Sequence, residues 1–450
     1  MSDKQSTKPP AGTRDFLPDD VRRREYVIGV VRDVYERYGF EPLETPAFEN
    51  IETLLGKYGE EGNKLIFKIL KRGEHAATGE ADLALRYDLT VPLARVVAQY
   101  QNDLPRLFKR YQIQPVWRAD RPARGRFREF YQCDLDAMGS TSPMVEADVL
   151  GAVSEILTTL GFSDFVIRLN HRGVLTALLE TAGVPVPLYA DALVALDKLD
   201  KIGAEGVGKE FAARGIPDAA ATTALMFFTA APARPESALA GLRAVLPAHE
   251  GVPNLADIVR LAESTPAAGR IRIDPSLARG LSYYTGAIME IAVEGIGSLG
   301  GGGRYDNLIG MFLGREVPAC GFSLGLERLI VVMTERGMFP SAVTKGTLDV
   351  VVTFMDDESR AEALRLASEL RAATLRVDVF PEAGRKFDKP LKYASARGAR
   401  AMAIFGEDER ARGAASIRNL QTREQQSVPR DQATAFIAKL LNQEPRTLEP

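Results

Sequence analysis

Between Arg106 and Arg128 the chain carries eight Lys or Arg against a single acid, Asp120, in a protein whose net charge is −3. So positive a stretch calls for a strongly anionic partner, and phosphate suits arginine well because the planar guanidinium presents two parallel donors. Two strand-like runs, Tyr111–Arg118 and Phe127–Asp136, bracket a loop, Ala119–Arg126, broken by Pro122 and Gly125, which reads as an antiparallel hairpin. Arg118, placed on the strand, would hold one phosphate. Arg121, Arg124 and Arg126 on the loop could follow a longer anionic backbone. Farther on, Gln132, Asp134 and Asp136 share one strand face at period two, so a small cationic or amide-bearing group would meet the phosphate on the same sheet. Taken alone, the stretch also fits an exposed hairpin with a charged face.

Other polar sets extend this chemistry. In LRYDLTVPLAR (Leu85–Arg95), Asp88 and Thr90 are placed to bind an ammonium group, although a turn with Thr90 capping the following helix is equally consistent. In GFSLGLERLIVVM, Gly321 and Gly325 let a strand run into a helix, which puts Arg328 near the helix start where phosphate is favoured. Gly295, Gly297 and Gly300 satisfy G-x-G-x-x-G, but more glycine and RYDNL follow rather than a helix, so a dinucleotide site is not expected. Glycines 300–303 would let a flat ligand lie against backbone, or form a bulged turn. The set as a whole holds arginines (Arg118, Arg279, Arg328), carboxylates (Asp88, Asp136) and hydroxyls (Thr90, Tyr283, Tyr284, Tyr305), with no evident nucleophile or general base. Attack of an already ionised carboxylate on the α-phosphate of ATP needs neither, only positioning and neutralisation of charge.

The elements that must position these groups follow from pattern. At 450 residues, 45% hydrophobic and 26% charged, the chain should fold into two or three globular domains. No apolar run is long enough for a membrane span and MSDKQSTKPP has no signal-peptide core, which points to a cytoplasmic protein. Two cysteines and three scattered histidines argue against a disulfide framework or a zinc site. Residues 1–10 read as a disordered tail; a helix over Asp19–Tyr38 carries the stripe Val27, Val31, Val34 and Tyr38, and FEPLETPAFE reads as a strand ended by Pro46. A helix over Ser142–Leu160 and a strand over Phe165–Asn170 precede an alanine-rich helical insertion at about 180–268. Strands resume at Ile271. After a linker near 341–347, residues 348–445 alternate strand and helix as a small mixed or parallel α/β unit would.

Several motifs together resemble the histidyl-tRNA synthetases, a family of class II aminoacyl-tRNA synthetases. The strand ending at Pro46 resembles class II motif 1, VWRADRPARGRFREFYQCDLD motif 2 and GFSLGLERL motif 3. LARGLSYYTG (Leu277–Gly286) and GGGRYD (Gly301–Asp306) resemble the two histidine-specific motifs, and GTRDFLP and ALDKLDKIG are typical of the same family. The resemblance implies an α+β fold: a class II antiparallel-sheet catalytic core (11–340) with a helical insertion, followed by an anticodon-binding α/β domain (348–445). It implies a homodimer that uses L-histidine, ATP with Mg²⁺, and tRNA(His), with no resident metal. By motif, Arg118 should bind the α-phosphate and Arg328 the triphosphate tail. Arg279 should sit by the α-phosphate and the histidine carboxylate. Asp88, Thr90 and Gln132 should hold the α-amino group, Asp136 and Tyr284 the imidazole nitrogens, with Tyr283 and Tyr305 lining the pocket. Arg121, Arg124 and Arg126 should guide the tRNA acceptor end.

One departure is visible. The histidine motif commonly reads RGLDYYTG, and here Ser282 stands in place of its Asp. Two other readings compete: a synthetase-like regulatory subunit of histidine biosynthesis, which typically lacks both the intact LARGLxYYTG motif and the C-terminal domain, and an enzyme adenylating a carboxylate for a non-tRNA acceptor, which would not need Leu348–Leu441.

Overall fold

The computed structural model describes residues 6–73, 78–123, 125–230, 234–278, 283–293, 295–344, 348–383 and 387–442. Apart from the N-terminal segment, the chain divides into two compact units, within 24–338 and 339–450. Its strands in chain order are β1 Glu41–Pro42, β2 Phe48–Asn50, β3 Lys68–Leu70, β4 Ala81–Leu85, β5 Phe108–Trp117, β6 Glu129–Met138, β7 Phe165–His171, β8 Ile271–Ile273, β9 Ala287–Val293, β10 Gly297–Arg304, β11 Ala319–Gly325, β12 Val350–Phe354, β13 Val377–Val379, β14 Ala401–Phe405, β15 Ala414–Asn419 and β16 Gln425–Pro429. In the first unit, eight strands form one sheet in the order β1-β5-β6-β11-β10-β9-β7-β8. Its interior pairs are antiparallel, whereas the edge pairs β1/β5 and β7/β8 are parallel. A three-stranded sheet, β2-β4-β3, adjoins it in sequence.

The central hairpin is longer than the sequence pattern indicates. Its ten-residue strands β5 and β6 run from Phe108↔Met138 to Trp117↔Glu129, so β5 stops one residue short of Arg118. FEPLETPAFE makes only β1 and β2, because Pro42 and Pro46 cannot donate to a continuous ladder. The first helix covers Pro18–Arg37, with Leu17 as its N-cap and Asp19 and Asp20 in its first turn. It buries Val27, Ile28, Val31, Val34 and Tyr35, and the Tyr35 hydroxyl donates to Cys133 O on β6 at 2.9 Å. Gly297 and Gly300 of the G-x-G-x-x-G stretch lie on strand β10 and Gly295 in the turn before it; no helix starts at these glycines, the next being the four-residue Gly310–Leu313, which removes the dinucleotide reading. Arg304 at the end of β10 forms a buried two-point pair with Glu146 (2.6 and 2.9 Å) on the helix Met144–Thr159, locking strand to helix.

Every element among the described residues of the insertion is a helix. Helices Arg172–Thr181, Tyr189–Leu196, Leu199–Ala213, Asp218–Phe228, Pro235–Val245 and Gly251–Ala262 bury a leucine- and alanine-rich face. His171 caps the first of them, its Nδ1 accepting from Gly173 N at 3.1 Å, and His249 accepts likewise from Gly251 N. The two rings meet edge to face at 6.5 Å. Burial, helped by His249 and Arg304, pushes the His171 imidazole down to about 4. Because the unfolded chain binds this proton near pH 6.5 and the native chain does not, stability is full above that pH and falls as pH drops toward 4, by up to ~3 kcal/mol. Melting curves between pH 7 and 4.5 should therefore fall more steeply for the wild type than for His171→Asn, which keeps a capping acceptor but does not titrate. Parallel pH dependences would remove this role from His171.

The second unit is a mixed sheet in the order β13-β12-β14-β15-β16, parallel across its first three strands and antiparallel beyond. Helices Arg360–Ala372 and Ala433–Asn442 cover Val350, Val352 and Phe354 on one face, and Asp388–Ala396 lies with Val351, Met402 and Ile404 on the other. β16, QQSVP, was not legible in the pattern because four of its five residues are exposed on an edge strand.

Candidate active site

The antiparallel register of β5, β6 and β11 assembles a polar floor. Opposite Asp136 stand Arg110 on one side and Gly321 on the other, opposite Asp134 stand Gln112 and Ser323, and opposite Gln132 stand Gln114 and Gly325. Paired residues in a ladder project from the same face, so polar groups spaced by two on each strand form rows across the sheet. All of Arg110, Gln112, Gln132, Asp134 and Asp136 are buried. Arg110 Nη2 lies 2.7 Å from Asp136 Oδ2, and the Tyr305 hydroxyl makes a short hydrogen bond to Asp136 Oδ1. Arg110 belonged to the basic stretch, but its pairing with Asp136 follows only from the strand register.

Glycine makes this floor possible. A Cβ on Gly321 would sit 1.8 Å from Asp136 Oδ1, and one on Gly303 would sit 2.5 Å from Ala287 O and 3.1 Å from the Tyr284 ring. The flat group resting on Gly303 is thus the protein's own Tyr284, and the bulge in β10 falls earlier, between Ser298 and Gly300.

Above the floor, the sequence-predicted residues converge through contacts. β4 ends at Leu85, so Asp88 and Thr90 lie on a turn into the helix Thr90–Gln99 rather than on a strand. Asp88 Oδ1 accepts from Val91 N (3.1 Å) and from the Tyr58 hydroxyl (2.9 Å), and Oδ2 accepts from the Tyr283 hydroxyl (3.5 Å), which also bonds Thr90. Tyr283 in turn touches Tyr284 and Tyr305, at 5.1 and 5.9 Å between ring centroids. Asp88, Thr90, Asp136 and the three tyrosines thus form one connected set, and Gln132 stands on the same strand face as Asp136. Tyr58 is a member that the sequence reading missed. Burial pushes the carboxyls of Asp88 and Asp136 up, against Arg118 and Arg110 respectively, which pull them down.

The phosphate-facing arginines take different settings. Arg118, just past β5, keeps the ladder through its N–H to Arg128 O (2.9 Å), and its Nε donates to Tyr87 O (3.1 Å). Its guanidinium lies over the Tyr87 and Phe130 rings, 4.3 and 5.2 Å from their centroids. Arg328 is exposed on the first turn of the helix Leu326–Glu335, donates to Ser298 O and has its stem near Gly125. Arg121 and Arg126 are exposed, and Arg126 pairs with Asp120 at 2.9 Å. The GTRDFLP segment lies against this loop: Arg128 N donates to Gly12 O at 2.8 Å, and Arg14 stacks on Phe127 at 3.5 Å. Arg124, Arg279 and Ser282 lie outside the described residues.

Arg86, buried, is turned to the protein's own backbone. Its guanidinium donates to Pro115 O, Thr45 O, Pro46 O and Gln114 Oε1 at 2.7 to 3.1 Å, tying the segment after β1 to β5, and burial brings it down to about 10.

Compared with known proteins, residues 12–329 match the histidyl-tRNA synthetase family and residues 349–440 the anticodon binding domain. The chain belongs to the histidyl-tRNA synthetase family. It is 43% identical to a histidine–tRNA ligase of Gloeobacter violaceus over 95% of this chain and 97% of that one, and 39% identical to one of Bacteroides fragilis over 96% and 98%. The crystal structure of histidyl-tRNA synthetase from Nostoc sp. PCC 7120 superposes with a TM-score of 0.78 at 33% identity, covering 97% of this chain and all of that one. The α+β fold is that of the family: an antiparallel core sheet with a helical insertion and a C-terminal anticodon-binding domain. No helix among the described residues is long and apolar enough to cross a membrane.

Proposed function

We infer that this site joins L-histidine to ATP as histidyl-adenylate, with release of pyrophosphate, and passes the histidyl group to the 3′ end of its tRNA; the chain is a histidine–tRNA ligase. The observation that carries this reading is the buried set Asp88, Asp136, Tyr283 and Tyr305, with the partly buried Tyr284 packed on it, beside Arg118, whose guanidinium is fixed by two aromatic faces. The substrate carboxylate is itself the nucleophile, so the protein's task is to hold it in line and to neutralise charge on the α-phosphate. Arg118 does this from the β5 side, and by its motif Arg279 shares the task. Arg328 takes the triphosphate tail. ATP enters as its Mg²⁺ complex.

Asp136 and Tyr284 bind the imidazole nitrogens. Asp136 already meets Arg110 and Tyr305, but an ionised carboxylate offers about four acceptor positions, so room remains for a ring N–H. The α-amino group goes to Asp88, Thr90 and Gln132. An amino acid without the two nitrogens leaves a buried carboxylate and hydroxyl unsatisfied, which lowers its activation by roughly 10⁴-fold. Arg121, Arg124 and Arg126 meet the acceptor end of tRNA(His), and residues 348–445 read the anticodon. The working form is a cytoplasmic homodimer, a reading supported by exposed apolar side chains such as Phe48, Leu107 and Met144, which a second copy would cover.

The test is ATP–pyrophosphate exchange with each standard amino acid in turn, without tRNA. Exchange with histidine alone is the expected result. Folded protein that exchanges with none would overturn the reading in favour of a regulatory, non-charging role.

A further inference from the structure

Two acceptors on the buried floor have no partner. Gln132 is 8% and Asp134 2% exposed, yet Gln132 Oε1 and Asp134 Oδ1 make no hydrogen bond within the protein. Both side chains converge on Ser323 of β11. Gln132 Nε2 donates to Ser323 Oγ at 2.8 Å, and the Ser323 hydroxyl bonds Asp134. The hydroxyl has one proton, so accepting from Gln132 and donating to Asp134 orients the row and leaves the two remaining oxygens as open acceptors. Leaving a buried acceptor unsatisfied is costly, and a carboxylate oxygen more so.

The occupant must therefore bring donors, more than one, and positive charge. Of the nearby donors, Arg110, opposite on β5, turns its two terminal nitrogens to Asp136, Gln112 and Leu89 O. Around Asp134 stand Arg110 from β5, Arg86, Asp88, Tyr283 and Tyr284 from the flanking loops, and Asp136 on its own strand. Three acids thus lie near two guanidiniums, one of which, Arg86, is directed at backbone carbonyls. A neutral imidazole carries one N–H, whereas an ammonium carries three and a full charge. Resting on the reading of this site as a histidine pocket, we propose that Asp134 pairs with the substrate's α-ammonium group together with Gln132 Oε1, and that it releases a proton to solvent when that group binds. Asp134 is thereby a substrate-binding residue beyond the set implied by motif. Burial and Asp136 push its carboxyl up to about 7 although Arg110 pulls it down, so at neutral pH the empty pocket is protonated in part and the arriving ammonium displaces that fraction.

The experiment compares L-histidine with imidazolelactic acid, which differs only in a hydroxyl in place of the ammonium group. Calorimetric titration of the full-length protein at pH 7, in buffers of different ionisation enthalpy, gives both affinity and protons released. Asp134→Asn should weaken histidine by ~10- to 100-fold, the range for a hydrogen bond to a charged group, while leaving imidazolelactic acid essentially unchanged. The proton released when histidine binds the wild type should exceed that with imidazolelactic acid, a comparison that needs no variant. Equal weakening of both compounds, no weakening of histidine, or equal proton release from the wild type would each overturn the assignment. A wild type that binds neither compound would instead remove the histidine pocket itself, a separate outcome.

Discussion

Arg118→Ala should slow histidyl-adenylate formation by ~10²- to 10³-fold, the usual consequence of removing one preorganised charge-stabilising donor. The size of the effect follows from how the side chain is held. Its Nε is bound to Tyr87 O and its plane rests on Tyr87 and Phe130, so the guanidinium needs little reorganisation when charge develops on the α-phosphate. Lysine should restore only part of the rate, because a point charge on a flexible stem reproduces neither the stacking nor the two-point geometry. Single-turnover adenylation with saturating histidine and ATP measures this directly. A near-normal rate in Arg118→Ala would show that the α-phosphate is neutralised elsewhere, and a large loss of helical signal would assign the effect to folding.

A comparably large effect, on stability, is expected from Asp136→Ala. Asp136 is 3% and Arg110 0% exposed, and they face each other at 2.7 Å. Removing the carboxylate leaves a guanidinium in the sheet with only Gln112 and the Leu89 carbonyl, at 3.4 and 3.3 Å. Breaking a buried pair from one side typically costs ~3–5 kcal/mol, much more than deleting both partners. The double variant Arg110→Met/Asp136→Ala should therefore recover most of the stability lost by the single change, yet remain inactive on histidine. Urea unfolding of wild type, both singles and the double completes the cycle. An additive double variant would mean that the two side chains are not energetically coupled.

Much of this was legible because strand periodicity is a local property. Placing Gln132, Asp134 and Asp136 on one face needs only the alternation of a strand, and the glycine pattern of GFSLGLERL was enough to place the strand-to-helix turn before Arg328. What failed locally was whatever depends on a partner distant in the chain. Arg110 is one more charge in a basic stretch until the hairpin register sets it against Asp136. The two-residue β1 and three-residue β8 exist only because long neighbours β5 and β7 supply their hydrogen bonds. The apolar residues around Asp88 suit a strand end, but its carboxylate bonds Val91 N, and that competing local bond starts the helix instead. Glycines 300–303 were ambiguous for a related reason: sequence shows that a side chain is excluded there but not what excludes it.

That exclusion bears on how the pocket can change over evolutionary time. Any single-base change that replaces Gly303 or Gly321 with another residue adds at least a Cβ, and at these positions the Cβ meets backbone, an aromatic ring or the Asp136 carboxylate at less than van der Waals distance. The floor is therefore closed to stepwise exploration, and drift toward a different side-chain specificity must proceed through the walls, at Tyr58, Thr90, Tyr283 or Tyr284. A directed-evolution library aimed at a new amino acid is best spent there, with the glycine strands held constant.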